Sequence, residues 1–325
     1  MDYYRQEVDV LVLGAGVSGL MAARALQQAG RRVGVVDKGR GVGGRLATRR
    51  IGDATFDHGA PCFSTGEASD GLRSVWHHLA GSVTEWGSEE VDGAGRRPCW
   101  RGVPTMSAVA KRLADGLEVH TEVQIASLGL DAGRWVATAV SGRVFVAEAV
   151  VATPPVPQTL ALLEAGGFVP ADGHRTRLAA IGYDRCLTVM AVLENPSLVP
   201  PPGSLSPVTG PIERITDNRL KGISAVPAVT LQATPGFSLK HWDLDRLESG
   251  RILLEAATPW LGSAVRTWQI HGWRYGRPRA PLACRHLVAH ASPALVFAGD
   301  AFGGPGVDAA AGSGAAAAAA ILCGR

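Results

Sequence analysis

The sequence predicts an α/β protein in which a domain of buried parallel strands and helices is interrupted by a strand-rich α+β insertion. Three observations carry this. Residues 10–39, VLVLGAGVSGLMAARALQQAGRRVGVVDKG, set two apolar runs on either side of spaced glycines and an Ala-rich stretch. Near the C-terminus, ALVFAGDAFGGPGVDAAAGSGAAAAAAIL repeats that order of apolar run, glycine-rich turn and helix. Between about residues 158 and 284 the pattern changes to longer strand candidates around a Pro-rich loop, NPSLVPPPGSLSPVTGP.

Residues 10–13 alternate too little for a half-exposed strand and read as a strand buried on both faces. Gly14, Gly16 and Gly19 then turn the chain into an Ala/Leu-rich helix ending near Gly30, and RVGVVD (32–37) is a second buried strand ending in an acid. A G-x-G-x-x-G spacing is weak evidence alone; inside a strand–turn–helix–strand unit it marks a Rossmann-type dinucleotide site. Gly14 allows the tight turn, Gly16 lets a diphosphate approach the backbone, and Gly19 lets helix and strand pack closely. The first helical turn, with Val17 and Ser18, points free N–H groups and a positive dipole end at that diphosphate. Asp37 stands where a carboxylate accepts hydrogen bonds from the adenosine ribose, with Lys38 and Arg40 beside it.

NAD and FAD both use such a loop, so the next segment decides. DKGRGVGGRLATRR places Gly43, Gly44 and Arg45 just after the second strand, a second close backbone approach with a fixed guanidinium for the diphosphate. FDHGA (56–60) adds His58, Gly59 and Ala60. Gly299 and Asp300 end the last buried strand, and a helix starting near Gly306 and Val307 aims its N-terminus at the edge of a flavin ring, where negative charge develops on reduction. Together these favour FAD.

The remaining elements follow from local signals. GLRSVWHHLAG reads as a helix and VTEW as a short strand. Pro104 at a helix start and Gly116 past its end bound an Ala/Leu helix. Asp-Ala-Gly and Ser-Gly turns cut residues 121–153 into short antiparallel strands. A helix over 157–165, the strands RCLTVMAVLE and PAVTLQAT, a helix over 243–261 and the strand AVRTWQIHGWRY complete the insertion. The cofactor domain is therefore expected to be discontinuous, 1–67, 101–157 and 285–325, with 68–100 and 158–284 as the substrate domain.

Composition excludes several classes. The 325 residues carry 32 Lys and Arg against 29 Asp and Glu, scattered, with no basic block of the kind that binds nucleic acid. Five cysteines, odd in number, far apart and without a C-x-x-C pair, argue against a disulfide framework or zinc site and for a reducing compartment. No run suits a membrane span or export signal, so a cytoplasmic protein is expected; oligomeric state is not legible.

The combination LGAGVSGLMAARAL, DKGRGVGGRLATRR, FDHGAPCF, GWRYGRP and FAGDAFGGPGVDAA resembles the renalase-like flavoproteins, small members of the amine-oxidase and protoporphyrinogen-oxidase superfamily. The likeness spans about residues 8–322. Two departures stand out: Pro61-Cys62 replaces the usual polar-aromatic pair, and Asp37 the commoner Glu. The resemblance implies an oxidase holding FAD noncovalently, since PLACRH around Cys284 lacks an attachment loop. The implied substrates are 2- or 6-dihydro isomers of NAD(P), with hydride passing to flavin N5 and O2 reoxidising the flavin to give H2O2. It also implies that a strand holding Val123 lies against the adenine. A flavin amine oxidase and a noncatalytic flavin-binding module are the alternatives.

Oxidation of this kind needs positioning and water exclusion more than acid–base groups. Trp273, Arg274 and Tyr275 lie about 25 residues before Gly299, where an aromatic ring would stack a flat substrate and Arg274 would meet a phosphate or carboxamide. Strand alternation forbids all three from facing one cavity. Gln232 is either a paired buried amide or a substrate contact. His58 reads as cofactor ligand or structural histidine, and Asp217-Asn218 with Lys221-Gly222 form a polar turn that either matches a segment of the renalase-like proteins or is simply a solvated loop.

Overall fold

The computed structural model describes residues 5–65, 71–91 and 95–324. β1 (Arg5–Leu13) runs into α1 (Val17–Gln28) and β2 (Val33–Val36), the unit expected from the glycine spacing. β3 (Thr48–Ile51) and β4 (Ala54–Asp57) form a hairpin, while β5 (Phe63–Ser64), β6 (Val83–Val91) and β7 (Gly95–Gly102) form a three-stranded sheet. Next come α2 (Met106–Ala114), β8 (Glu118–His120), β9 (Ile125–Asp131), β10 (Arg134–Ala139), β11 (Val144–Ala152), α3 (Val156–Ala165) and α4 (Asp172–Ala179). The second large unit holds β12 (Tyr183–Leu193), β13 (Ser204–Leu205), β14 (Ile212–Asp217), β15 (Ala228–Ala233), α5 (Pro235–Lys240), α6 (Arg246–Leu261) and β16 (Val265–Pro278). β17 (Leu287–His290), β18 (Leu295–Phe297) and α7 (Val307–Cys323) end the chain.

The main sheet runs β17-β18-β11-β1-β2-β8, with β10 and β9 continuing from β11. Its centre, β18-β11-β1-β2-β8, is parallel, and β9, β10 and β11 are the antiparallel meander read from the turn residues. This is a Rossmann-like sheet, with α1, α2 and α7 packed on one side. The terminal Ala run is thus a structural helix: Gly314 of α7 sits so close to Ser18 of α1 that a Cβ would collide with the Ser18 carbonyl. Small residues let the last helix lie on the first and bring both ends of the chain to one edge of the sheet.

The other sheet, β13-β14-β15-β12-β16, takes all its strands from residues 204–217 and 183–278. One face, with Leu187, Val189, Leu231 and Ile270, packs on α6. On the opposite face Met190, Val192 and Ala228 pack on Ala54 and Phe56 of β4. β4 therefore lies across the sheet and carries the following residues, 58–60, over it.

Several expectations are corrected. GLRSVWHHLAG forms only a 3-10 turn over Leu72–Val75 and further turns, because Asp308 Oδ1 accepts the Leu72 N–H (2.9 Å) and ties the segment to the start of α7. Residues 235–240 form a separate helix before α6, and α4 was not foreseen. Val123 lies in the loop between β8 and β9 rather than on a strand. Cys62 and Cys99 form a disulfide, against the expectation from cysteine spacing. Pairing of Ser64 with Cys99 across β5 and β7 brings together two cysteines separated by 37 residues, which no local motif announces. The expected domain boundary at 67–68 falls outside the described residues. Among the described residues no helix is long and apolar enough to cross a membrane.

Candidate active site

The glycines of the first loop occupy the conformations their spacing implies. Gly14 has φ +93° and a Cβ there would lie 2.6 Å from Thr153 Oγ1. At Gly19 a Cβ would collide with the Gly14 carbonyl, whereas at Gly16 it would meet open space. The turn is thus packed behind and open in front, where the start of α1 presents its N–H groups without a side-chain cap. Ser18 Oγ, in that first turn, is buried with no partner. Gly43 (φ +114°) donates its N–H to Ala15 O (2.8 Å), and Gly44 packs against Gly16, so the second glycine loop lies on the first. Asp37 accepts N–H groups from Ala15 and Gly39, both at 2.6 Å, and its carbonyl accepts from Val123 N (2.9 Å). Lys38 and Arg40 are exposed; among the described residues Lys38 reaches only Gln158.

Arg45 joins the two ends of the chain. It makes a bidentate pair with Asp300, Nη1 to Oδ2 at 2.6 Å and Nη2 to Oδ1 at 2.8 Å, and Nη1 also donates to the Gly276 carbonyl at 3.0 Å. Burial alone would lower the guanidinium's pKa, but the Asp300 carboxylate outweighs it and raises the value above its ordinary one. The Arg45 side chain keeps 33% of its surface exposed. Behind it, Arg45 O accepts Ala60 N (2.8 Å), and Gly59 approaches so closely that a Cβ would collide with Arg45. Gly299 N donates to Ser313 Oγ of α7 (2.8 Å), and Gly306 (φ +111°) opens α7 with free space around it. The sequence-predicted residues 14–19, 37, 43–45, 58–60, 123, 299–300 and 306–307 are linked by these contacts into one region, apart from the side chains of Lys38 and Arg40.

The substrate-sheet residues are distributed differently. Trp273 Nε1 donates to His58 O (2.8 Å), and its indole stacks on the His58 imidazole, centroids 5.3 Å apart. Gln232 Nε2 donates to Gly59 O (3.0 Å). Both side chains therefore hold the 58–60 segment in place. Tyr275 meets Tyr183 edge-on at 5.4 Å, near the Arg45–Asp300 pair, while Arg274 is exposed. Burial lifts the Tyr183 phenol to about 12, so it stays protonated. His58 is 4% exposed; burial, then His271 and Arg49, lower it to about 4, leaving a neutral imidazole whose Nδ1 has no partner.

Sequence reasoning missed a second buried pair. Lys221 Nζ donates to Asp57 Oδ2 at 2.5 Å and to the Pro61 carbonyl, with both side chains fully buried. Asp57 is also held by Thr48 Oγ1 (2.6 Å) and Met106 N (3.2 Å). The polar turn expected in solvent is inside: Asp217, Asn218 and Lys221 are at most 2% exposed. Its only sequence signal was a Lys placed among turn residues with no periodicity.

The groups around this region suit FAD. An open glycine cradle, an orphaned hydroxyl at a helix N-terminus and a guanidinium shared with the last strand's Asp match a diphosphate at the front and a ring near the tail. Comparison with known proteins agrees. Residues 12–79 match the NAD(P)-binding Rossmann-like domain, and residues 68–322 match the flavin containing amine oxidoreductases. Among solved structures, a variant of putrescine oxidase aligns at TM-score 0.73 and 15% identity, covering 98% of this chain and 100% of its own. Cyclohexylamine oxidase from Brevibacterium oxydans aligns at 0.71 and 14%, covering 97% and 99%. An oxidoreductase from Methanosarcina mazei aligns at 0.69 and 15%, covering 96% and 99%. At these identities the likeness is one of fold.

Proposed function

The chain belongs to the flavin-containing amine oxidoreductase family and is an FAD-dependent oxidoreductase; we propose that it is an oxidase of 2- or 6-dihydro isomers of NAD(P), with O2 as terminal acceptor. One observation carries the choice of substrate. Among the described residues three carboxylates are buried, and each is already engaged. Asp57 is paired with Lys221, Asp300 with Arg45, and Asp217 with Ser197 Oγ and two backbone N–H groups. Among the described residues no buried carboxylate is left to receive a substrate ammonium, whereas a dihydronicotinamide ring with anionic phosphates needs none.

Bound FAD supplies the two-electron acceptor for this oxidation, held noncovalently. In this reading Gly14, Gly16, Val17, Ser18 and Gly19 receive its diphosphate, with Asp37 and Val123 at the adenosine. Gly43, Gly44, Arg45 and Asp300 grip its middle. His58, Gly59, Ala60, Gly299, Gly306 and Val307 border the ring. The substrate side is walled by Trp273 and Gln232, which orient the 58–60 segment, and by Tyr275 against Tyr183, and together they exclude water. The neutral His58 places no charge beside the reacting carbon, and the protonated Tyr183 holds its shape by accepting the Val156 N–H (3.2 Å).

A second reading, oxidation of an uncharged amine, is favoured by the Tyr183–Tyr275 pair, an aromatic wall suited to an apolar amine. Anaerobic mixing separates the two. Loss of the flavin's visible band with dihydronicotinamide isomers supports the first; loss with amines and none with the isomers rejects it.

A further inference from the structure

Three cations from three separate elements converge beside the 57–62 segment. Lys221 comes from the turn after β14, Arg101 from the end of β7 and Arg214 from β14. Lys221 is buried, its ammonium spent on Asp57 and Pro61 O, and it lies 5.3 Å from the Trp86 ring centroid. Arg214 Nη1 reaches Cys62 Sγ at 3.9 Å. Arg101 is half-buried, and among the described residues its side chain's one hydrogen bond runs from Nη1 to the adjacent Gly102 carbonyl (3.1 Å). Among the described residues no carboxylate pairs with it.

Burial lowers the Lys221 ammonium; Asp57 opposes this, while Arg101 and Arg214 push it further down. Arg101 is itself lowered by burial, relieved only in part by the Asp57 field. Asp57 is saturated by Lys221, Thr48 and Met106, so it has no capacity left for a second cation. The guanidinium is nevertheless seated deliberately: Arg101 Nη2 rests against Gly222 (φ +79°), where a Cβ would come within 3.1 Å. A positioned guanidinium fork with unspent N–H donors, backed by a buried ammonium, is the arrangement that receives a phosphate oxyanion.

We propose that Arg101, backed by Lys221 and flanked by Arg214, forms a niche that binds a phosphate group of the substrate. This rests on the reading of the substrate as a dihydronicotinamide dinucleotide. The niche sits beside Cys62 and Pro61, at the end of the 58–60 segment away from Trp273, so ring and phosphate would be recognised at opposite ends of one stretch of chain.

The test uses FAD-loaded protein, wild type and Arg101→Gln, with Arg101→Lys as a charge-preserving control and flavin content and Tm as checks of folding. Anaerobic stopped-flow reduction is measured with a 6-dihydro isomer of NADH and with the matching riboside, which lacks phosphate. Calorimetry measures inorganic pyrophosphate binding. The expected result is a rise of about 10-fold or more in dinucleotide Kd for Arg101→Gln, with unchanged saturating rate and unchanged riboside Kd, a comparable loss of pyrophosphate binding, and partial retention in Arg101→Lys. Unchanged dinucleotide and pyrophosphate affinities in Arg101→Gln overturn the niche while leaving the substrate reading standing. Arg101-dependent pyrophosphate binding with no flavin reduction by either compound supports the niche and rejects the substrate reading.

Discussion

Two ion pairs anchor the segment between Gly43 and Pro61, and they differ in what surrounds them. Arg45 and Asp300 meet at 2.6 Å with side chains 33% and 11% exposed, and the guanidinium is shared with backbone carbonyls of β16. Asp57 and Lys221 meet with both side chains fully enclosed, and Asp57 is filled by further donors. The first pair is half-open where two glycine loops and the last strand converge. The second is sealed between β4, the start of α2 and the turn after β14. An open pair retains donors for a ligand, whereas a sealed one has no surface left to touch one and acts through the fold and its neighbours. Location along one short segment thus separates the half-open pair proposed to bind the cofactor from a structural lock.

The sharpest way to break this comparison is to remove one partner of each pair. Lys221→Met leaves Asp57 buried and uncompensated and is expected to cost about 3–5 kcal/mol in urea unfolding, while the double change with Asp57→Asn recovers most of it. If Lys221→Met leaves the unfolding midpoint unchanged, the lock assignment is wrong. Cys62→Ser comes next. The bond to Cys99 closes a loop across the sealed side, and its loss should cost about 2–4 kcal/mol in the same assay under nonreducing conditions.

His58 sharpens the contrast through pH. Its folded value of about 4 lies below the ordinary 6.5, so the unfolded chain takes up the proton first as pH falls. The stability from keeping it neutral is complete above the ordinary value and is lost as pH drops toward the folded one. Between pH 6.5 and 5 this amounts to about 2 kcal/mol, and His58→Leu should flatten that part of the profile relative to wild type. An identical slope in the variant would place the titration elsewhere.

The open region was the legible one. Gly14, Gly16, Gly19, Asp37, Gly43–Arg45 and Gly299–Asp300 stand in local patterns whose backbone demands can be read residue by residue, and their conformations here meet those demands. Arg45 could be assigned to a diphosphate from its neighbours, but its pairing with Asp300, 255 residues away, could not. The sealed region was not legible. Lys221 looks like a surface lysine because turn residues surround it, and only the crossing of β4 over the second sheet buries it. The Cys62–Cys99 bond depends on the pairing of β5 with β7, two strands far apart in sequence. Trp273 and Gln232 were found as residues of interest, yet their contacts with His58 O and Gly59 O come from a register that no spacing encodes.

We propose that the open pair, linking the front loops to the tail, holds FAD. Its most direct test is flavin retention after equilibration with FAD and removal of the excess, read from the visible band per chain. Arg45→Met and Asp300→Asn should each weaken FAD binding about 10- to 100-fold and emerge largely colourless but folded, while the Lys221→Met/Asp57→Asn double variant stays yellow. Stoichiometric flavin in both Arg45→Met and Asp300→Asn would contradict the account.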